Sequence, residues 1–284
     1  MCRTKEQSAD TSRKEPFSVP DLLVTSNGQP DKDGTLTKIT PESAGWEYVG
    51  FEVLRLETGR SVSRHTGSEE VCLVPLSGTC TVSAGAEEWK DIGGRESVFY
   101  GPPSAVYLPP GTEYTVHAST GLEIAVASAP AERGVDPIMV RPEDIDVEIR
   151  GSGNMEREIR PILMEDRGAE RLLVVEVLTP NGHWSSYPPH KHDTDDPPRE
   201  RYLEETYYHK IRPDKGFALQ RVYTQDGSLD ETLTFHDGDV VLVPEGYHVV
   251  SAPPGYDLYY LNVMAGPVRE WRIKNHPDHE WLLG

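Results

Sequence analysis

The residues best placed for chemistry lie in the stretch Gly182-His183-Trp184-Ser185-Ser186-Tyr187-Pro188-Pro189-His190-Lys191-His192-Asp193. In an extended strand, residues i and i+2 point to the same face. His190 and His192 can therefore aim two imidazoles at one point, where a divalent metal would sit. Pro188 and Pro189 stiffen the approach, because each fixes its own φ and restricts the residue before it. A surface His-x-His pair without function is common, so the pair needs further ligands. Glu204 and Glu205 open a later strand-like run, and by strand parity only one of them points inward. His248, in Gly246-Tyr247-His248, offers a fourth ligand immediately after the run ending at Pro244. Taken alone, His248 would be an ordinary turn histidine. Imidazole with carboxylate suits Zn, Mn, Fe or Ni and does not choose among them. The cofactor expected is one divalent ion, with Zn or Mn ahead of Fe or Ni. With an open coordination position, such an ion polarises a carbonyl or holds an enediolate.

Short strands must position these groups. The chain has 284 residues with 25 glycines and 24 prolines, and no long run carries clean helical periodicity. Strand-like runs occur at 46–56, at 71–82 (a hairpin about Pro75-Leu76-Ser77-Gly78), at 97–101, at 105–111 and at 122–127. A second series follows at 171–178, 205–211, 217–224, 239–244 and 257–264. Short strands punctuated by turn signals every 8–12 residues or so indicate a β-sandwich or barrel. The charged stretch 136–160 reads as the crossover between two halves. Trp271, Trp281 and Leu282-Leu283 are expected to pack a C-terminal tail onto the body. A weak repeat relates the halves. Val106-Tyr107-Leu108-Pro109-Pro110-Gly111 matches Val241-Leu242-Val243-Pro244-Glu245-Gly246, and Glu69-Glu70-Val71-Cys72-Leu73 matches Glu204-Glu205-Thr206-Tyr207-Tyr208. The expected organisation is a mobile polar segment over 1–15, a barrel over 16–145 and a second barrel over 146–284.

Pro188-Pro189-His190-Lys191-His192 followed by Glu, and then Gly238-Asp239-Val240-Val241-Leu242-Val243-Pro244-Glu245-Gly246-Tyr247-His248, resembles the two motifs of the cupin barrel, Gly-x-His-x-His with Glu and Gly-x5-Pro-x-Gly with a nearby His. Longer segments narrow the likeness. Ser185-Ser186-Tyr187-Pro188-Pro189-His190-Lys191-His192-Asp193, Leu203-Glu204-Glu205-Thr206-Tyr207-Tyr208-His209, Gln220-Arg221-Val222-Tyr223-Thr224 and Tyr259-Tyr260-Leu261-Asn262-Val263-Met264-Ala265-Gly266-Pro267 resemble the 5-deoxy-glucuronate isomerase family of myo-inositol catabolism. The likeness runs from about Trp46 to Trp281. It implies an all-β bicupin, two tandem jelly-roll-like barrels, that interconverts 5-deoxy-D-glucuronate and 5-dehydro-2-deoxy-D-gluconate. It implies a metal site in the C-terminal barrel with His190, His192, Glu205 and His248 as ligands. Similarity to a related uronate isomerase favours Glu205 over Glu204. The first half carries His65 alone where a pair is needed, so its barrel is expected to lack metal and to serve packing or assembly. The rival reading is a second site built from His65, Glu70 and His117.

Aldose–ketose isomerisation moves a proton between adjacent carbons through an enediol or enediolate. It needs a Lewis acid or hydrogen-bond donor for the oxygens and a base near the carbon-bound proton. Base candidates are the glutamate not fully committed to metal, His183 and a metal-bound water. Tyr207, Tyr223 and His209 could relay protons between oxygens, with packing as the plainer role of each. The substrate carboxylate needs a cation. Arg221 and Lys191 lie beside the motif residues, Arg201 is a reserve, and parity turns Lys191 away from its histidine neighbours, so Arg221 is preferred.

The net charge of −19 argues against non-specific nucleic-acid binding and against attraction to anionic lipid. It does not oppose a small anionic sugar acid bound by a local cation. No apolar run approaches the roughly 18 residues of a membrane span. Met1-Cys2-Arg3-Thr4-Lys5-Glu6-Gln7 lacks the apolar core of a signal peptide, and Cys2, Cys72 and Cys80 fit a reducing cytoplasm. Cys72 and Cys80 flank one turn, and free buried thiols are the expected state. A homo-oligomer is expected. A cupin dioxygenase and a non-catalytic sugar-binding cupin are the alternative classes.

Overall fold

The computed structural model describes residues 21–283. The segment 1–15 and Cys2 lie outside the described residues. The chain forms two β-sandwiches of antiparallel strands, each a large sheet facing a smaller one, the bicupin arrangement. In the first, Thr35–Ile39, Gly50–Leu56, Glu69–Ser77, Ala105–Leu108, Leu122–Pro130 and Ile138–Val140 make the large sheet. Ser61–His65, Thr79–Ala84, Glu87–Gly93 and Glu113–Ala118 make the small one. In the second, Glu148–Arg150, Arg157–Leu163, Leu173–Thr179, Glu204–Arg212, Val240–Val243 and Asp257–Ala265 form the large sheet, with Leu23–Val24 joining at its edge. Trp184–Lys191, Ala218–Tyr223, Asp230–Phe235, Tyr247–Ser251 and Lys274–Asn275 face it.

The alternation of side chains gives each large sheet two buried faces. One face fills its own barrel: Leu54, Leu73, Val106 and Ile124 in the first, Val175, Val177, Tyr207 and Tyr260 in the second. The other faces meet between the barrels, where Phe51, Cys72, Tyr107, Tyr208, Leu261 and Val263 share one core. Sheets buried on both faces read as near-continuous apolar runs, which is why these strands show only partial alternation. Cys72 and Cys80 point into different cores and are free and buried, and burial pushes both thiols up to about 12.

Reciprocal carboxylate clamps tie the halves together. Glu204 accepts the backbone N–H groups of Glu47, Tyr48 and Val49 at 2.8–2.9 Å. Glu70 accepts those of Glu170, Arg171 and Leu172 at 2.6–2.7 Å, and the Tyr107 hydroxyl at 2.8 Å. Between them, Glu176 receives Arg95, Arg160 and the Tyr259 hydroxyl at 2.9–3.0 Å. A buried carboxylate is tolerated when its lone pairs are filled this fully.

Three expectations need correction. Residues 97–101 form a turn, not a strand. The stretch 136–160 contains strands at Ile138–Val140 and Glu148–Arg150, and a third starts at Arg157. Trp281 does not anchor the tail, since it remains 74% exposed.

Candidate metal centre and its cavity

Strand parity sorts the residues of the second barrel. On Glu204–Arg212, Glu205, Tyr207 and His209 face the barrel interior, while Glu204 and Tyr208 face the other half. On Asp257–Ala265, Tyr260, Asn262 and Met264 face inward, in register with His209, Tyr207 and Glu205 respectively. Across the barrel, His190 pairs with His248 on neighbouring strands of the small sheet.

His192, Glu205 and His248 are buried, and one ligand atom from each lies within 4.8 Å of the others. Glu205 Oε2 is 2.9 Å from His192 Nε2 and 3.2 Å from His248 Nε2. The second contact is outside hydrogen-bonding alignment, so His248 Nε2 is a buried nitrogen with no hydrogen-bond partner. His190 stands beside this trio, its ring centroid 4.6 Å from that of His248. Carbonyl oxygens can only accept, so their contacts assign the tautomers. His192 Nδ1 donates to Leu203 O at 2.9 Å, His248 Nδ1 to Gly246 O at 3.3 Å and His190 Nδ1 to Pro188 O at 3.4 Å. For His190 and His248 the Nε2 lone pair is thereby left free for a cation, whereas His192 Nε2 donates to the Glu205 carboxylate and would give up that proton to a bound metal. Nδ1 contacts of this kind orient histidine ligands in metal sites. The donor set, the converging geometry and the orphaned nitrogen all fit a divalent metal. Burial opposes charge on Glu205, but the His192 and His248 contacts outweigh it and hold its carboxyl at about 2.

Local geometry fixes the ligands. Gly246 has φ 87°, and a Cβ there would sit 2.5 Å from the Tyr223 carbonyl oxygen, so the turn that presents His248 requires glycine. Its N–H donates to Asp193 Oδ2 at 2.7 Å, joining that turn to the loop after His192. Lys191 holds the same loop by binding Asp193 and, at 2.9 Å, Glu200.

His190 and Glu205 open onto a cavity of about 420 Å³, lined also by Arg157, Ser186, Tyr207, Tyr260, Asn262 and Trp271. Ser186 adopts φ 50°, an uncommon conformation for a residue with a side chain. Its hydroxyl lies 3.0 Å from the Tyr207 hydroxyl and 3.4 Å from that of Tyr260, which also contacts Ser185. Burial, followed by the nearby Glu205 charge, pushes the Tyr207 phenol well above its ordinary value, so it is neutral and can donate.

Other expected site residues lie elsewhere. His183 donates from Nδ1 to Glu156 O at 2.8 Å and is absent from the cavity wall. Tyr223 packs on Tyr247 and His276, outside the cavity. Arg221 points outward to Asp230 at 2.8–2.9 Å and covers the Tyr223 ring, because residues opposite in parity to Gln220 and Val222 face solvent. Lys191 is spent on Asp193 and Glu200, and Arg201 on Asp195 and Glu270. His209 stacks on Phe235 at 3.6 Å and meets Gln220 at 3.1 Å. Burial lowers it to about 3, so it carries no charge for a carboxylate. Ser186, Tyr260, Asn262 and Arg157 are not singled out by the sequence. Parity counted from Glu205 and its pairing partner would have found Tyr260 and Asn262, while Arg157 is hidden in the charged stretch read as a crossover.

Register also corrects the repeat. Glu205 pairs with Val243 and Val71 with Leu108, so Val71, not Glu70, corresponds to Glu205. Glu70 instead corresponds to the clamp residue Glu204. His65 pairs with Glu113 as His190 pairs with His248. The positions of the four candidate ligands therefore correspond to His65, Gly67, Val71 and Glu113 in the first barrel. His117 is bound to Ser61 on the exposed side.

Comparison with known proteins agrees with this architecture. Residues 22–282 match the KduI/IolB family. The chain is 54% identical over 262 residues to 5-deoxy-glucuronate isomerase of Geobacillus thermodenitrificans, covering 92% of this chain and 96% of that protein. It is 44% identical over 248 residues to the Bacillus subtilis (strain 168) enzyme of that name, covering 87% and 92%. An IolB-like protein from Salmonella typhimurium LT2 superposes with TM-score 0.90 at 46% identity, over 93% of this chain and all of that one. Bacillus subtilis oxalate decarboxylase, which has Mn(II) centres, shares the fold with TM-score 0.63 at 14% identity, over 91% of this chain and 80% of that one. This chain is a member of the KduI/IolB family.

Proposed function

We propose that this protein is a metal-dependent aldose–ketose isomerase that converts 5-deoxy-D-glucuronate to 5-dehydro-2-deoxy-D-gluconate. The convergence of His192, Glu205 and His248, with Glu205 and the adjacent His190 opening onto a cavity lined also by Tyr207, Tyr260, Asn262 and Arg157, carries this reading. Near-full-length relatives at 44–54% identity are 5-deoxy-glucuronate isomerases. His192, Glu205 and His248, joined by the adjacent His190, hold one divalent ion, Zn or Mn ahead of Fe or Ni. When bound, this ion supplies Lewis acidity toward the substrate oxygens. Tyr207 and Tyr260 donate hydrogen bonds to oxygens that gain charge as the proton moves between carbons. Ser186 orients both phenols and connects them, so protons can pass between neighbouring oxygens. Glu205 is fixed by its two imidazoles and held strongly acidic, which makes it a ligand in preference to a free base. The first barrel, with Gly67, Val71 and Glu113 at ligand positions, is a metal-free half that packs against the second. A reducing cytoplasmic setting and a homo-oligomer complete the reading. No helix among the described residues is long and apolar enough to cross a membrane.

The test is metal analysis of purified protein combined with an isomerase assay on 5-deoxy-glucuronate before and after strong chelation. The expected result is near-stoichiometric divalent metal and loss of turnover on chelation, with the far-UV spectrum unchanged. Full activity of metal-free protein would remove the Lewis-acid assignment. Oxygen consumption coupled to substrate loss would move the protein to the dioxygenase class.

A further inference from the structure

We propose that Arg157 is the cation that receives the substrate carboxylate in the cavity onto which His190 and Glu205 open. The inference rests on the isomerase reading above. Arg157 begins the strand Arg157–Leu163, and its alternate residues Arg157, Ile159 and Pro161 all line the cavity. The intervening residues turn the other way, with Arg160 bound to Glu176 and Ile162 in the core between barrels. A second arginine on the same strand is thus neutralised, whereas Arg157 faces the cavity.

What separates Arg157 from its neighbours is the lack of a partner. Arg150 also lines the cavity, but it pairs with Glu148 at 2.8 Å and lies over the Trp271 ring. Arg201, Arg221 and Lys191 are each engaged by carboxylates. Among the described residues, Arg157 forms no ion pair. Its one hydrogen bond runs from Nη1 to the Met155 carbonyl oxygen at 3.1 Å, and its Nε is buried without an acceptor. Burial accordingly lowers its pKa, and the nearby Arg150 charge adds to this. A half-buried guanidinium with a buried, unpaired Nε and no anion carries an unmet electrostatic demand. A planar carboxylate placed against its fork would satisfy that demand with charge-assisted hydrogen bonds.

The layout matches the substrate. Tyr207 and Tyr260 line the same cavity as Arg157, His190 and Glu205, so anchor, phenols and candidate ligands face one space. The reacting carbonyl of 5-deoxy-glucuronate and its carboxylate lie at opposite ends of the sugar chain. With the carboxylate on Arg157, the carbonyl end lies within the cavity that His190 and Glu205 also line. The same contact selects acids over neutral sugars, because an empty guanidinium would stay unpaired.

The test compares wild type, Arg157→Gln and Arg157→Lys in full-length, metal-loaded protein. KM and kcat are measured on 5-deoxy-glucuronate, and binding of D-glucuronate and D-glucose is measured by calorimetry. Arg157→Gln should raise KM and weaken D-glucuronate binding roughly 10- to 100-fold, the range of a lost hydrogen-bonded charge pair. Metal content should be unchanged, and any weak D-glucose binding should be equal in both proteins. Arg157→Lys should recover part of the loss, since it restores charge without the bidentate fork. KM and D-glucuronate affinity within twofold of wild type in both variants would overturn the proposal. Should wild type fail to turn over 5-deoxy-glucuronate, the isomerase reading falls, and the glucuronate titration decides the role of Arg157 by itself. Should Arg157→Gln fold poorly, the lysine variant decides the same question: affinity equal to wild type with both sugars would refute bidentate recognition.

Discussion

A carboxylate flanked by two buried imidazoles, each with its Nδ1–H donated to a backbone carbonyl, is organised to surround a cation. Replacing Glu205 by Gln removes the charge and keeps the shape. Glu205→Gln is expected to lose bound metal and to lower kcat/KM by on the order of 100-fold or more, read by metal analysis and steady-state kinetics. Tyr207→Phe removes a donor at the cavity without touching a ligand, so kcat should fall on the order of 10²-fold with metal content unchanged. Equal losses of metal in both variants would mean that Tyr207 shapes the site and does not act on substrate. Arg221 supplies the contrast. Its pair with Asp230 is exposed, and exposed pairs are worth about 0–1 kcal/mol. Arg221→Leu should leave KM within twofold of wild type, and a large rise would bring back the carboxylate role expected of it.

Adjacent residues on one strand do unrelated work because a strand has two faces. Glu205 points into its barrel toward the imidazoles. Glu204 points out of it and caps three N–H groups at Glu47–Val49. Glu204→Ala would strand those donors in the interface between halves, at a cost of about 2–4 kcal/mol on the scale of buried unsatisfied groups. Urea unfolding should register that loss while metal bound per folded molecule stays at the wild-type level. Metal loss without destabilisation would reverse the assignments of the two glutamates. Glu70 performs the mirrored task in the other half, where Val71 stands in the register position of Glu205.

The two barrels share one apolar core, and several buried carboxylates sit along that junction and within the first barrel. Burial opposes charge on Glu123, but Lys210, the Tyr208 hydroxyl and Arg55 outweigh it and hold its pKa below the ordinary value. Burial likewise opposes charge on Glu52, and Arg64 together with Thr35 outweighs it. Folded values below unfolded ones mean that the unfolded chain binds more protons in acid. The stability from these pairs is present above the unfolded glutamate pKa of 4.5 and is lost as pH falls through the lower folded values. Urea midpoints measured downward from pH 6 should drop below about pH 4.5, and Glu123→Gln should flatten that drop. An unchanged slope in the variant would assign the acid sensitivity to other groups.

The amino-acid pattern alone was sufficient for the all-β class and for singling out His190, His192 and His248 as candidate ligands. The reason is that turn residues, strand parity and i, i+2 spacing are local properties of the chain. Parity also required that only one of Glu204 and Glu205 face inward, but spacing could not say which. That choice depends on which face of the strand meets the other barrel, a non-local fact. The same limit misplaced His183, Tyr223 and Arg221, which are near the ligands in sequence yet point away from the cavity. It concealed Arg157, because a charged run looks alike whether its strand lies at an edge or against a cavity. Tertiary packing decided which charges found partners, and so which arginine was left facing the cavity without one.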